Sequence, residues 1–285
     1  VEDTGCPPVR VTANGLRGGE VSIKGNISSQ FLSGLLMAAP YAKSPVTVRV
    51  DGELISRPYV DMTLAVMREF GVDVVSEEDS FRIPCGVYQG RTYTIEPDAS
   101  AASYFWAAAA ITGGEIEVKA LTRASLQGDV GFCDLLVRMG CELVEAENSM
   151  TIRGPRQLTG IDCDMGDISD TAQTLSVVAL FANGPTTIRG IAHNRHKETD
   201  RIGNLAIELR KFGAEVIEFD DGFTVHPPKN LLPAVIDTYD DHRMAMSLAL
   251  PGLLIPGVKI NDPGCTAKTY PHFFADLERI SKKSG

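Results

Sequence analysis

Four stretches of this chain repeat one arrangement of polar and apolar positions: a polar opening, an Ala-rich apolar run, a Gly or Pro turn, and an alternating segment. The first runs from Ser28-Ser29-Gln30 through Leu35-Leu36-Met37-Ala38 and the turn Ser44-Pro45 to Val46-Thr47-Val48-Arg49-Val50. The second runs from Ala99-Ser100 through Trp106-Ala107-Ala108-Ala109 and Gly113-Gly114 to Glu115-Ile116-Glu117-Val118. The third opens at Asp167-Ile168-Ser169-Asp170, passes Leu175 to Phe181, turns at Gly184-Pro185 and continues Thr186-Thr187-Ile188. The fourth opens at Asp240-Asp241-His242-Arg243, turns at Pro256-Gly257 and continues Val258-Lys259-Ile260. An apolar run followed by period-two alternation predicts a helix and then a strand.

Three copies carry a second helix with apolar residues at helical spacing, each stopping at a glycine before a short strand. The endings are Phe70-Gly71-Val72-Asp73-Val74, Met139-Gly140-Cys141-Glu142-Leu143 and Phe212-Gly213-Ala214-Glu215-Val216. Glycine at such an end is the residue that a left-handed C-terminal cap selects. The period, roughly 70 residues, is too long for a solenoid unit and suits a module of two helices and several strands. The expected fold class is therefore α/β, made of repeated βαβαββ units. The first helix of each copy, apolar nearly all round, is expected in the core with sheets around it.

Length and charge narrow the picture. At 285 residues the chain suits one large domain or two medium ones, and two are expected. The net charge of -10 lacks the footprint of a general nucleic-acid or membrane-surface binder, so any anionic ligand must be held by a local cluster of cations. Six cysteines (Cys6, Cys85, Cys133, Cys141, Cys163, Cys265) form no C-x-x-C pair, which signals neither zinc nor redox chemistry and fits a reducing, cytosolic compartment. The longest apolar run, Phe105 to Thr112, is far shorter than the ~20 residues of a membrane helix. The opening Val1-Glu2-Asp3-Thr4-Gly5-Cys6-Pro7-Pro8 has no initiator Met and runs into the strand-like Val9-Arg10-Val11-Thr12, which reads as a start in mid-domain.

Polar groups cluster where helices are expected to begin, and such ends favour anions. Gly25-Asn26-Ile27-Ser28-Ser29-Gln30 places two hydroxyls and an amide before an apolar helix, more than one N-cap needs. Asn194-Arg195-His196-Lys197-Glu198-Thr199-Asp200-Arg201 precedes an apolar helix expected from Ile202, with Lys197 and Arg201 four apart and sharing a face in helical register. Tyr239-Asp240-Asp241-His242-Arg243 sets charge at the mouth of a third helix, where His242 by itself reads as structural. The turn Asp262-Pro263-Gly264-Cys265-Thr266-Ala267-Lys268 offers one lysine, and Cys265 reads as a small buried residue rather than a nucleophile. Together Lys197, Arg201, Arg243 and Lys268, with the carboxylates Asp170 and Glu198, suit a multiply anionic substrate and acid–base chemistry without a metal.

Gly25-Asn26-Ile27-Ser28-Ser29-Gln30-Phe31, Leu54-Ile55-Ser56-Arg57-Pro58-Tyr59, Lys197-Glu198-Thr199-Asp200-Arg201, Asp241-His242-Arg243-Met244-Ala245-Met246 and Cys265-Thr266-Ala267-Lys268-Thr269 closely resemble the 3-phosphoshikimate 1-carboxyvinyltransferase (EPSP synthase) family. The resemblance extends over essentially the whole chain. It implies the two-domain enolpyruvyltransferase fold, akin to an inverse α/β barrel, with three βαβαββ units per domain and an active site in the cleft between them. Residues 1–97 would be an incomplete shikimate-3-phosphate-binding domain and residues 98–285 a nearly complete second domain, with one crossing near Glu96-Pro97-Asp98.

The implied reaction transfers the enolpyruvyl group of phosphoenolpyruvate to the 5-hydroxyl of shikimate 3-phosphate, releasing phosphate by addition and elimination, with no cofactor. By this resemblance Ser28, Ser29, Gln30, Ser56, Tyr59, Asp170 and Lys197 bind shikimate 3-phosphate. Gln30, Lys197, Arg201, Arg243 and Lys268 bind phosphoenolpyruvate, the ligand with which glyphosate competes in this family. Asp170 is the implied proton acceptor, Glu198 the proton donor, and Lys268 the third catalytic group.

The family usually carries roughly 140 further N-terminal residues, including a Lys-Ser pair and a distant Arg on the substrates. That segment is an expected partner, the complete protein is expected to be a cytoplasmic monomer, and residues 1–97 are expected to be poorly supported alone. His193 stands where several members place an Asn, and its role stays open. Three alternatives remain: a fragment inactive without its complement, a piece of a multifunctional polypeptide, and a UDP-N-acetylglucosamine enolpyruvyltransferase, against which the Lys197 and Lys268 motifs argue.

Overall fold

The computed structural model describes residues 9–282; Cys6 and the rest of residues 1–8 lie outside the described residues. Val9-Arg10-Val11-Thr12, expected to be strand-like, forms no strand, and the first strand among the described residues begins at Gly19. The chain divides into two compact units, residues 1–93 and residues 94–285. The division precedes Glu96 and Pro97 because both bond forward: Glu96 Oε1 accepts from Leu126 N at 2.9 Å and the Pro97 carbonyl from Gln127 Nε2 at 2.6 Å.

The smaller unit consists of β1 (Gly19–Lys24), α1 (Ser29–Ala38), β2 (Val46–Asp51), α2 (Arg57–Glu69), β3 (Val75–Ser76) and β4 (Ser80–Ile83). Its sheet runs β1-β2-β4-β3, with β1 and β2 parallel and β4 antiparallel to both neighbours, which is one βαβαββ module. Leu32, Leu36, Val48, Val60, Phe81 and Ile83 form its core. The expectation of a fully enclosed first helix fails here. Only Ser29, Leu32 and Leu36 of α1 are buried, while Phe31 is 60% and Met37 49% exposed. Within this unit α1 meets one sheet and α2, through the Ser33 and Thr63 hydroxyls at 2.8 Å, and such neighbours cover only a stripe of a helix.

The larger unit continues with α3 (Ala99–Thr112), β5 (Glu115–Lys119), α4 (Phe132–Arg138), β6 (Glu142–Ala146), β7 (Ser149–Arg153), β8 (Leu158–Thr159), β9 (Asp162–Asp164) and α5 (Ala172–Ala179). It then runs β10 (Ala182–Asn183), β11 (Thr186–Arg189), α6 (Gly203–Lys211), β12 (Glu215–Phe219), β13 (Gly222–His226), β14 (Val235–Ile236), α7 (His242–Ala249), β15 (Lys259–Ile260) and α8 (Phe273–Ser281). The sheet β12-β13-β11-β9 has β9 and β11 parallel and β13 antiparallel to both neighbours, the same order and sense as the smaller unit. The sheet β5-β7-β6 repeats its antiparallel half, and the parallel pair β14-β15 its crossover half.

In this unit the first helix of each copy is internal. Every residue of α5, all but Arg243 of α7 and most of α3 are buried. Ser103 on α3, Thr174 on α5 and Ser247 on α7 join in a hydroxyl chain with two 3.2 Å links. Buried hydroxyls need such partners, and these tie the three helices together.

The glycine-terminated helices have the anticipated caps. Gly71, Gly140 and Gly213 take φ of 87°, 107° and 93°. At α2 the Gly71 N–H donates to Arg68 and the Val72 N–H to Met67, both at 2.9 Å, which is the Schellman arrangement. Val72 is thereby drawn into the cap, and the ladder with β4 begins only at Val75, later than the strand expected from Val72. Among the described residues no helix is long and apolar enough to cross a membrane.

Candidate active site

Arg201 is the centre of the larger unit's charged cluster. Only 2% exposed, its guanidinium meets three carboxylates. Nε donates to Asp241 Oδ2 at 2.7 Å, Nη2 to Asp241 Oδ1 at 3.2 Å and to Glu198 Oε2 at 2.7 Å, and Nη1 to Asp170 Oδ1 at 3.3 Å. Arg243 Nη2 donates to Asp170 Oδ2 at 2.7 Å, and Lys197 Nζ stands 3.9 Å from Asp170 Oδ1. Lys268, half exposed on the turn Pro263–Lys268, pairs with Glu198 Oε1. All six residues expected to carry charge chemistry in this unit fall in one network.

Local structure explains their placement, and it differs from the helical register expected for Lys197 and Arg201. Residues Ala192–His196 form a short 3-10 turn, residues 197–202 are irregular, and α6 starts at Gly203. Asp200 Oδ1 accepts from the Ile202 and Gly203 N–H groups at 3.0 Å each, so this carboxylate opens the helix and leaves Arg201 before its first turn. Asp200 also holds Arg195, and the Arg201 N–H donates to the Asn194 carbonyl at 3.1 Å. The two cations converge on Asp170 through this loop, not along a helix face. On the opposite side Asp241 caps α7 by accepting from Arg243 N at 2.9 Å. Asp241 is fully buried, and its role as the anchor of Arg201 was visible in the sequence only as one member of a charged helix mouth.

The electrostatics follow from these contacts. Burial alone would push the Asp170 carboxyl up, but Arg243, Lys197 and Arg201 outweigh it and hold it below the usual carboxylate range. Burial acts the same way on Glu198, and there the Lys268 bond and the Arg201 charge win, bringing it down to about 2. His193, buried with Nε2 2.8 Å from Ser169 Oγ, is driven down to about 4 by burial and by Lys197. Its neighbour Asn194 donates to the Ser169 carbonyl at 2.9 Å, so the two residues brace the side chain and the backbone of Ser169, immediately before Asp170. Burial raises the Cys265 thiol, which disfavours a thiolate nucleophile.

In the smaller unit Ser28 caps α1, its Oγ accepting from Gln30 N at 3.3 Å. Ser56, buried and in the left-handed region at φ 54°, precedes α2, and its carbonyl accepts from Tyr59 N at 3.1 Å. The two loops meet beyond the parallel ends of β1 and β2, where Ile55 N donates to the Gly25 carbonyl at 3.2 Å. Gly25 permits this approach: a Cβ there would lie 2.6 Å from the Glu53 carbonyl oxygen. Ser28, Ser29, Gln30, Ser56 and Tyr59 are thus carried at one edge of this unit. Helix starts beside parallel strand ends suit an anionic ligand.

Solved structures share this architecture. An EPSP synthase from Acinetobacter baumannii matches with a TM-score of 0.80 at 27% identity, covering 98% of this chain and 66% of that one. The enolpyruvyl transferase NikO from Streptomyces tendae matches with a TM-score of 0.71 at 20% identity, covering 95% of this chain and 67% of that one, a likeness of fold alone. The repeated α/β fold is therefore that of the enolpyruvyl transferases. Among curated relatives, a 3-phosphoshikimate 1-carboxyvinyltransferase of Trichormus variabilis is 50% identical over 275 residues, covering 95% of this chain and 64% of the relative. One of a Marinomonas strain is 52% identical over 284 residues, covering 96% and 65%. The model of the EPSP synthase (3-phosphoshikimate 1-carboxyvinyltransferase) family matches residues 1–277, and the chain belongs to that family. It spans about two thirds of the length of these relatives.

Proposed function

We propose that this chain takes part in the transfer of the enolpyruvyl group of phosphoenolpyruvate to the 5-hydroxyl of shikimate 3-phosphate, with release of phosphate. The observation that carries this reading is the network around Arg201, in which Lys197, Arg201, Arg243 and Lys268 are each matched to a carboxylate. Guanidinium and ammonium groups that hold carboxylates equally hold a phosphate and a carboxylate of a ligand. In this reading the smaller unit is an incomplete shikimate-3-phosphate-binding domain whose Ser28, Ser29, Gln30, Ser56 and Tyr59 receive that substrate.

Chemistry then follows from exchange of partners. As phosphoenolpyruvate takes Arg243, Lys197 and Lys268, Asp170 and Glu198 lose the charges that depress them and become able to carry protons. Asp170 accepts the 5-hydroxyl proton while that oxygen bonds to C2 of the enolpyruvyl group. Glu198 gives a proton to the methylene carbon, and the product is a tetrahedral ketal phosphate. In the elimination Glu198 takes back a methyl proton, the double bond is restored as the C2–O bond to phosphate breaks, and the leaving phosphate carries off the proton that Asp170 had accepted, its remaining charge neutralised by Arg243 and Lys268. The relatives from Trichormus variabilis and Marinomonas are both named 3-phosphoshikimate 1-carboxyvinyltransferase, which favours the shikimate substrate over UDP-N-acetylglucosamine. Free Cys85, Cys133, Cys141, Cys163 and Cys265 support a cytoplasmic location.

The test is phosphate release from phosphoenolpyruvate with shikimate 3-phosphate, using this chain alone and with the N-terminal third of a relative added in trans. Release that disappears in Asp170→Asn and Glu198→Gln variants supports the reading. No release from a folded complex of the two pieces would overturn it.

A further inference from the structure

Glu208 lies on α6, and its side chain is fully buried. Its polar partners among the described residues are Tyr239, Asp237 and Lys211, which are not groups assigned to substrate. Its Oε1 accepts from the Tyr239 hydroxyl at 2.8 Å; its Oε2 accepts from the Asp237 backbone N–H at 3.1 Å and pairs with Lys211 Nζ at 2.8 Å. Lys211 also donates to Asp237 Oδ2 at 2.8 Å and to the Val235 carbonyl at 3.1 Å, so α6 is fastened at several points to the segment that leads into α7.

That segment is held in an unfavourable backbone. Tyr239 and Asp240 sit consecutively in the left-handed region, at φ 54° and 55°. The left-handed region is disfavoured for residues with a Cβ, and such a residue persists only where its surroundings fix it. The next residue is Asp241, which caps α7 and binds Arg201, and the one after His242 is Arg243, which binds Asp170. A relaxed turn would re-aim both.

We propose that Glu208 is a positioning residue for the anion site: by gripping Tyr239 and the Asp237 N–H from beneath, it holds the left-handed Tyr239-Asp240 turn that aims Asp241 and Arg243 at Arg201 and Asp170. The inference rests on the reading of Arg201 and Arg243 as ligand-binding cations. It adds that their aim depends on a carboxylate outside the site.

The test uses the full chain, inorganic phosphate as the probe, and hydrogen exchange of the 237–243 amides. Glu208→Gln keeps the size but loses the charged acceptor, and roughly tenfold weaker phosphate binding with faster exchange at Asp241 and Arg243 is expected. Adding Asp240→Gly, which adopts the same backbone without strain, should restore most of the binding and protection. Asp240→Gly in the unaltered background gives the gain from strain relief alone, and a positioning role requires a larger recovery of binding and protection in the Glu208→Gln background than that gain. Unchanged phosphate affinity and unchanged exchange in Glu208→Gln, or failure of Asp240→Gly to rescue either, overturns the proposal. If the unaltered chain binds no phosphate, the reading of the cations falls, and the exchange arm with its rescue still decides whether Glu208 holds the turn.

Discussion

Removing the Asp241 carboxylate should uncover how strongly the site's central arginine is bound to the fold. Asp241→Ala deletes two charge-assisted bonds from buried Arg201 and the cap on the Arg243 N–H. Arg201 retains Glu198 at 2.7 Å and Asp170 at 3.3 Å, so its charge is not stranded outright. Lost buried charged bonds cost about 3 kcal/mol and the cap about 1, for an expected destabilisation of about 4 kcal/mol. Trp106, the single tryptophan and fully buried on α3, reports the unfolding of the larger unit by fluorescence. With a urea dependence of about 2 kcal/mol per molar, the midpoint should fall by about 2 M. Asp241→Asn keeps an acceptor for the cap and should lose less. In an Arg201→Met background, Asp241→Ala removes the cap but also an unpaired buried carboxylate, so its cost should drop below about 1 kcal/mol. An equal cost in both backgrounds would refute the idea that the Arg201 pair dominates.

Acid should weaken the same unit in two stages. His193 is depressed to about 4, so below its ordinary 6.5 the unfolded chain holds a proton that the folded chain refuses, and stability is lost as pH falls between those values. His193→Asn should flatten that part of a plot of urea midpoint against pH, and an unchanged slope would count against it. Glu198, brought down to about 2, contributes stability that is complete above its ordinary 4.5 and lost as pH falls toward 2, a loss that Lys268→Met should shrink. Binding sulfate, which does not titrate near pH 5, should release Glu198 from its cations and draw in protons, read by calorimetry at pH 5 in two buffers of different ionisation heat; equal heats would contradict the partner exchange.

The sequence displays what local chemistry decides. Gly71, Gly140 and Gly213 mark helix ends because a left-handed cap selects glycine wherever the chain is placed, and the alternation of residues 46–50 and 115–118 marks strands for an equally local reason. Long-range competition is less visible. Lys197 and Arg201 fit a helical register on paper, yet Asp200 takes the helix-opening N–H groups and sets both in a loop. The apolar run of α1 looks like a core helix, but Phe31 and Met37 are exposed because burial depends on how many neighbours surround a helix. Asp241 and Glu208 act on partners 40 and 31 residues away, at separations that no window of periodicity spans.

The separations within the anion site also bear on how the chain reaches and leaves its native state. The pairs joining Arg201 to Asp170, Arg201 to Asp241, Lys268 to Glu198 and Arg243 to Asp170 close loops of 31, 40, 70 and 73 residues. Contacts of such sequence separation carry a large closure entropy and form after the local helices and hairpins that bring them together. They stabilise the finished structure more than the folding transition state, so their energy is expressed mainly as slow unfolding. The cluster assigned to ligand chemistry thereby doubles as a kinetic latch on the larger unit, and an anion replacing its internal partners would tighten or loosen that latch in the lifetime of the folded state.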